Sequence, residues 1–336
     1  MIFSKPYRFL TKVNFIVLLL ISFFILSSMN VVFAENVKLL RLGGCFEIDS
    51  PRYEMCAKFA EVLSKNTGGR YDVKIFPSSQ LGGIRDQLDG LKIGTVDIVM
   101  DGGIRLQVYS PLAALFKVPY MVKDLDHFRK VWQSEAGREF YDAVAEESGI
   151  IMLGAGYSGA SHITSNRPIY GPEDMKGLKI RVPPYDIPIQ TFEMVGANPT
   201  PMDYQEVYLA LQQGVVDAQE NPMSDNYPSH FYEVTKYLIL TGHVIIANTF
   251  MMDQDYFNSL SESDKKDFRE AADVACELFS KTCSEQEEYY IDQFRKEGVT
   301  VIEPDIEAFY NIWKDLVPTY YPEFVPYVEK LMQAGE

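Results

Sequence analysis

Histidine and cysteine are scarce in this chain, four of each among 336 residues. The histidines are widely scattered and no C-x-x-C occurs, so neither a metal site nor a thiol redox centre is indicated, because both need ligands clustered at short spacings. No G-x-S-x-G elbow is present, nor S-x-x-K with its partner motifs, so the familiar nucleophilic hydrolases are not supported. Basic blocks are missing as well. With 31 Lys+Arg against 47 Asp+Glu the formal charge is −16, which argues against a nucleic-acid partner, since phosphate binding needs clustered Lys/Arg. Hydrophobic residues at 47% and charged residues at 23% are ordinary for a soluble globular protein, which disfavours disorder, collagen-like repeats and a multi-span membrane protein. At about 150 residues per domain, the length predicts two domains.

What is present begins with an asymmetry at the N-terminus. Residues 1–34 carry Lys5, Arg8 and Lys12 and no acidic residue, followed by the apolar stretch Phe15–Leu26 and the small-residue ending Val32-Phe33-Ala34. A basic start, an apolar middle and a small residue before the cut make a secretory signal peptide, with cleavage after Ala34. An uncleaved membrane anchor is the alternative, because apolar residues resume at Met29–Ala34. No Cys follows the cut, so a lipid anchor is not indicated. The mature chain would carry 28 basic and 47 acidic residues, or −19, and would be an exported, soluble protein. Export makes disulfides possible. Cys276 and Cys283, however, lie seven apart in a helical segment, about 10 Å along the axis, too far for a bridge. Cys45 and Cys56 can pair only where a strand end meets the next helix closely, and whether they do is left open.

The hydrophobic pattern alternates strands and helices. Val37–Gly43, Tyr71–Phe76 and Val96–Met100 read as strands; a helix after Pro51 and another at Ile84–Ile93 separate them. That rhythm predicts a mostly parallel sheet covered by helices. It resumes with strands at Ile150–Leu153, Leu178–Val182 and Val215–Gln219 and helices at Ile187–Val195 and Asp203–Gln213. Tyr237–Leu240 and Val244–Met252 read as extended segments crossing between two lobes. Ser261–Glu297 is one long helical pattern of about 55 Å.

Gly154-Ala155-Gly156-Tyr157-Ser158-Gly159 matches G-x-G-x-x-G after a strand. A dinucleotide site would need a helix next, yet Ser161–Pro168 is polar, β-leaning and ends in proline. The glycines instead predict a bend or a close backbone approach. Abundant carboxylates read as a solvated acidic surface. The informative stretch is Lys176–Pro222. Gly177-Leu178-Lys179-Ile180-Arg181-Val182-Pro183 puts Arg181 at the end of an apolar strand, where α/β sheets line their ligand crevice. Its rigid fork either grips a carboxylate or sulfonate bidentately or sits in a structural salt bridge. Asn198–Met202 and Gln219-Glu220-Asn221-Pro222 add two strand-end loops; Asn221 either faces a bound oxygen or closes a turn.

Together these residues resemble the extracytoplasmic solute-binding subunits of TRAP (tripartite ATP-independent periplasmic) transporters, the DctP family of C4-dicarboxylate and sialic acid binders. The resemblance runs through Ala57-Lys58-Phe59-Ala60, Thr67-Gly68-Gly69-Arg70, Phe76-Pro77-Ser78-Ser79-Gln80-Leu81-Gly82, Val118-Pro119-Tyr120, Met175–Pro183, Glu206–Gln212, Gln219–Pro222 and Phe231-Tyr232-Glu233-Val234. It implies an α/β, two-lobed periplasmic binding protein fold of type II-like design, with hinge strands and a long helix spanning both lobes. Lobe one would comprise residues 35–158 and 248–286, lobe two 159–247 and 287–336. Arg181 matches the family's carboxylate-binding arginine, Asn221 and Tyr204 match positions that face the ligand, and Arg105 matches a second basic position from the other lobe. Where the family often has an Arg, this chain has Ser161. Cys45, Ile84 and Gly102 stand where sialic acid binders carry polar or acidic residues, and Pro184 where they carry Asn, which disfavours sialic acid. Asp101 and His162 lie near expected ligand positions.

The expectation is therefore a binding protein, not an enzyme, with no cofactor. It would be a monomer that captures a small organic anion (a C4-dicarboxylate, sugar acid or related carboxylate) and delivers it to the small and large permease subunits for uptake. A sulfonate binder, a sensory binding module and an exported carboxylate-dependent enzyme are the alternatives.

Overall fold

The computed structural model describes residues 37–336, so the expected leader, residues 1–34, lies outside the described residues. Ten strands form the framework: β1 (Lys38–Gly43), β2 (Tyr71–Phe76), β3 (Ile98–Gly102), β4 (Ile150–Ser165), β5 (Lys179–Val182), β6 (Asn198–Pro201), β7 (Ala218–Pro222), β8 (Tyr237–Ile239), β9 (Ile245–Asp253) and β10 (Thr300–Ile302). The order across the sheet is β2-β1-β3-β9-β4-β7-β5-β6, with β8 also pairing β4 and β10 pairing β8. The flanks are parallel, as the alternating pattern predicts: β1 with β2 and β3, β5 with β6 and β7. The middle is not. β9 runs antiparallel to β3 and β4, and β4 antiparallel to β7 and β8, so the sheet is mixed rather than mostly parallel.

The middle strands carry the connection between the two flanks. β4 is 16 residues long, pairing with β9 up to Ala160 and with β7 and β8 from Ser161 onward. Its register against β9 slips between Leu153 and Gly156 and again between Tyr157 and Ala160. Bulges of this kind bend and twist a strand. Here they coincide with the G-x-G-x-x-G stretch, which is strand throughout and opens no helix.

The helix Glu262–Lys296 lies along this seam. Ser261 caps it, its hydroxyl accepting from the Asp264 amide at 3.1 Å, and its 35 residues span about 52 Å. Phe268, Ala271, Ala272, Ala275, Cys276, Phe279 and Cys283 form its buried stripe at helical spacing, against β4 and the helix Pro51–Asn66. Small residues on both sides permit the close approach. A Cβ on Gly154 would stand 2.7 Å from Cys276 Sγ, and one on Gly156 2.9 Å from the Phe279 ring. The helix Pro51–Asn66 is itself capped by Ser50, starts on Pro51, and buries Met55, Cys56, Phe59 and Leu63. All four cysteines are buried and free, so Cys45 and Cys56 are not bridged.

The two largest of the four hydrophobic cores among the described residues sit on the two flanks. The larger joins β1, β3, β9 and the helices beneath them, with Phe59 stacked on Phe250 at 4.4 Å. The second gathers Ile163, Ile180, Val182, Phe192, Ala218, Ile239, Phe309 and Trp313. Several local expectations need correction. The helices Leu125–Gln133 and Glu135–Ser148 went unread, Asn198–Pro201 is a strand rather than a loop, and Asn221 lies within β7 rather than beyond it. Asp203–Gln213 divides into a short turn and a helix starting at Val207. The last helix, Val325–Gly335, packs on the helices 125–148. Its Leu331 is buried in the larger core.

Candidate functional site

Parallel strands converge their C-terminal ends, and three of those ends meet here. Arg181 stands near the end of β5, Glu220 and Asn221 near the end of β7, and Asp101 near the end of β3. The turns after these strands add Arg105, Lys117 and Asp225, while the first turn of the helix Pro51–Asn66 adds Arg52. With Tyr204, Pro183, Gly102, Ile104 and Ile246 they line one narrow cavity of about 30 Å³. Of the residues singled out from sequence, Arg181, Asn221, Tyr204, Arg105 and Asp101 are brought together.

The other three are not. Cys45 lines a smaller neighbouring pocket that shares Arg52, Tyr204 and Asp225 with this cavity, its Sγ accepting from the Ser79 hydroxyl at 3.2 Å. Burial pushes its thiol up, with Asp101 adding to the effect, so it is a poor nucleophile. Ser161 is fully buried opposite Pro222 and does not line the cavity. His162 is held by Glu287 at 3.3 Å and by the Gly242 amide at 3.1 Å and does not line the cavity.

Charge dominates the lining. Arg52 Nη2 meets Asp225 at 2.7 Å, Arg105 Nε meets Asp101 at 3.0 Å, and Lys117 Nζ meets Glu220 at 2.8 Å. Arg181 differs. Its Nε and Nη2 donate only to the Met202 carbonyl, at 3.1 and 2.9 Å, and among the described residues no carboxylate lies within salt-bridge distance of it. Its guanidinium stands 5.9 Å from the Tyr204 ring centre, a cation–π contact. Burial, reinforced by Arg105, lowers its pKa to about 10. Arg181 is 2% exposed, so an unneutralised charge is held away from water.

The neighbours show the same field. Burial pushes the Asp101 carboxyl up, but Arg105, Arg52 and the Gly102 amide outweigh it and hold it below the usual range. Burial likewise opposes ionisation of Glu220, which Lys117 and His243 more than restore. Lys117 is held below the ordinary lysine range by burial and by Arg181 and Arg105, against the pull of Glu220. Burial raises Asp225 despite Arg52. His243, 3.7 Å from Glu220, is pushed down to about 4 by burial and is neutral near pH 7.

Arg52, Lys117, Glu220 and Asp225 were missed in the sequence. Lys117 left a signal: it is a lone cation inside the apolar run Leu112–Val122, and a charge so placed needs a buried partner. Arg52 left none, since the first turn of a capped helix is ordinarily solvated. A larger open groove, of about 930 Å³, is lined by Tyr204, Tyr208, Tyr227, Tyr289 and Glu233 among others but by no Lys or Arg, so it is not where an anion would be held. Among the described residues no group of three His, Cys, Asp or Glu is placed to hold a metal ion, and no helix is long and apolar enough to cross a membrane.

Known proteins resemble this chain along most of its length. The model of the family described as bacterial extracellular solute-binding protein, family 7, matches residues 45–323. The sialic acid-binding periplasmic protein SiaP of Vibrio cholerae is 33% identical over 285 residues, covering 85% of this chain and 88% of that one. A TRAP periplasmic solute-binding protein of Roseobacter denitrificans, solved with L-galactonate bound, superposes with a TM-score of 0.83 at 33% identity, covering 89% of this chain and 99% of that one. Another from Shewanella oneidensis, solved with succinate bound, gives 0.84 at 25% identity over 89% and 100% of the two chains.

Proposed function

The chain belongs to bacterial extracellular solute-binding protein family 7, the periplasmic binding proteins of TRAP transporters, and on that premise we propose that it captures an organic anion in the cavity around Arg181 and hands it to a membrane permease. It is a transport protein rather than an enzyme. The observation that carries the site assignment is the state of Arg181, a buried cation facing a cavity with no carboxylate of its own. A buried ion without a partner is costly, and a carboxylate gripped by the guanidinium fork would relieve that cost.

In this reading residues 35–158 and 248–286 form one lobe, and 159–247 with the chain from 287, the last helix excepted, form the other. The pairs Arg52–Asp225 and Lys117–Glu220 join the lobes across the cavity. Closure is driven only by the difference in the ligand's affinity for closed and open states. The leader 1–34 exports the chain, which acts as a monomer, and the small and large permease subunits receive the ligand. The carboxylate class is supported by the sialic acid, L-galactonate and succinate bound by its relatives.

A thermal-shift screen of sugar acids, dicarboxylates, keto acids and sulfonates, followed by calorimetry, tests it. At least one anion should raise the midpoint of the ligand-free protein, and Arg181→Ala should abolish its binding. Retention of affinity within about threefold, under 1 kcal/mol, would show that Arg181 is not the anchor.

A further inference from the structure

The charges lining the cavity can be counted. Four cations, Arg52, Arg105, Lys117 and Arg181, face three carboxylates, Asp101, Glu220 and Asp225. Three ion pairs at 2.7–3.0 Å consume all three carboxylates, and His243 adds no charge near neutral pH. The enclosed balance is one positive charge, on Arg181. A monoanion cancels it. A dianion would leave one negative charge uncompensated among buried groups, which is the arrangement that burial penalises most.

Two atoms at this cavity say more about the ligand. Asp101 is 2% exposed. Its Oδ1 accepts from the Gly102 amide at 2.7 Å and from Arg105 Nε at 3.0 Å, while its Oδ2 is buried with no hydrogen-bond partner among the described residues. Arg52 Nε is likewise buried and unpartnered. A carboxylate oxygen can only accept and a guanidinium can only donate, so the pair asks for a ligand group that does both, and a hydroxyl does both. An ammonium group would satisfy Oδ2 but bring a charge that Arg105 already supplies, and it could not accept from Arg52.

We infer that the ligand is a hydroxylated monoanion, its acidic group on Arg181 and a hydroxyl donating to Oδ2 of Asp101, and that Asp101 discriminates against a second carboxylate. This rests on the organic-anion reading above and narrows it. Because Asp101 is itself an anion at the wall of the site, a carboxylate replacing that hydroxyl would meet like charge and leave Oδ2 without a donor.

Calorimetry at pH 7.5 on matched pairs provides the test. L-Galactonate is compared with galactarate, and D-erythronate with meso-tartrate, each pair differing only in a terminal hydroxymethyl group oxidised to carboxylate. The better-bound monoanion should exceed its dianion by at least about 100-fold, roughly 2.7 kcal/mol. It should exceed the unsubstituted carboxylate of the same length, hexanoate or butanoate, by a similar factor. Asp101→Asn should weaken the hydroxy acid and bring the dianion to within about tenfold of it, with the thermal midpoint reporting that the variant is folded. A dianion that binds wild-type protein as tightly as its monoanion overturns the inference, whether or not the variant folds, and so does an unchanged ratio in a folded Asp101→Asn. If no anion of either charge binds, the organic-anion reading itself fails, and the two failures are thereby distinguished.

Discussion

Replacing Arg181 by Met should stabilise the empty protein while destroying its ligand response. The cation is 2% exposed and, among the described residues, has only the Met202 carbonyl as a hydrogen-bond partner. Its pKa, lowered to about 10 chiefly by burial, corresponds to about 3 kcal/mol of disfavour for the charged form. The sign follows from linkage: the folded state holds this proton less tightly than the unfolded chain. The penalty is therefore in full force at neutral pH and fades only as pH rises through about 10. Against it stands the loss of both donors to Met202, which strands a buried carbonyl at a cost of about 1–2 kcal/mol. The net is a gain of about 1–2 kcal/mol, or roughly 2–4 °C for a chain of this size. Urea and thermal unfolding at pH 7.5 would measure it, on protein unfolded and refolded to strip any co-purified ligand. A ligand-free Arg181→Met protein less stable than wild type by 1 kcal/mol or more would refute the reasoning and return Arg181 to a structural role.

Three further outcomes are expected. Glu220→Gln leaves Lys117 buried without its partner, 2.8 Å away in the native protein, and should cost about 3–5 kcal/mol in urea unfolding; the double variant with Lys117→Met should recover most of it. His243, held neutral by burial with a pKa of about 4, must take up a proton on unfolding. Stability should therefore fall as pH drops from about 6.5 toward 4, by up to about 3 kcal/mol, and His243→Asn should flatten that part of the profile; parallel wild-type and variant profiles would contradict it. Gly154→Ala forces a Cβ to 2.7 Å from Cys276 Sγ at a φ of +69° and should cost about 1–3 kcal/mol or more. Gly94→Ala, at φ +73° but with nothing within 4 Å of the new Cβ, should cost less, and thermal melts of the two side by side would show whether helix approach or backbone strain dominates.

Much of the fold was legible because hydrophobic periodicity is a local property. Ile84–Ile93 and Tyr71–Phe76 occur where the pattern puts them, and the long helix begins and ends within a residue of its expected limits. Arg181 was legible for a related reason: a lone guanidinium closing an apolar strand before a proline has few places to go. Asn198–Pro201 was misread because two prolines suggest a loop, yet an edge strand tolerates them, and β6 is an edge. The mixed direction of the sheet was invisible too, since whether a strand runs parallel or antiparallel depends on its neighbours.

The division at the site follows the same line. Sequence alone established the class of the chain, its alternating α/β elements, the absence of catalytic motifs and the strand-end arginine, all carried by residues close together in the chain. Its global charge of −16 said nothing of the positive balance inside. That balance was decided by tertiary structure, which sets Arg52 against Asp225 across 173 positions and Lys117 against Glu220 across 103. In a low-dielectric cavity the charges within a few ångströms outweigh those spread over the solvated surface, so an acidic protein can hold an anion once folding leaves one buried arginine without a carboxylate partner among the described residues.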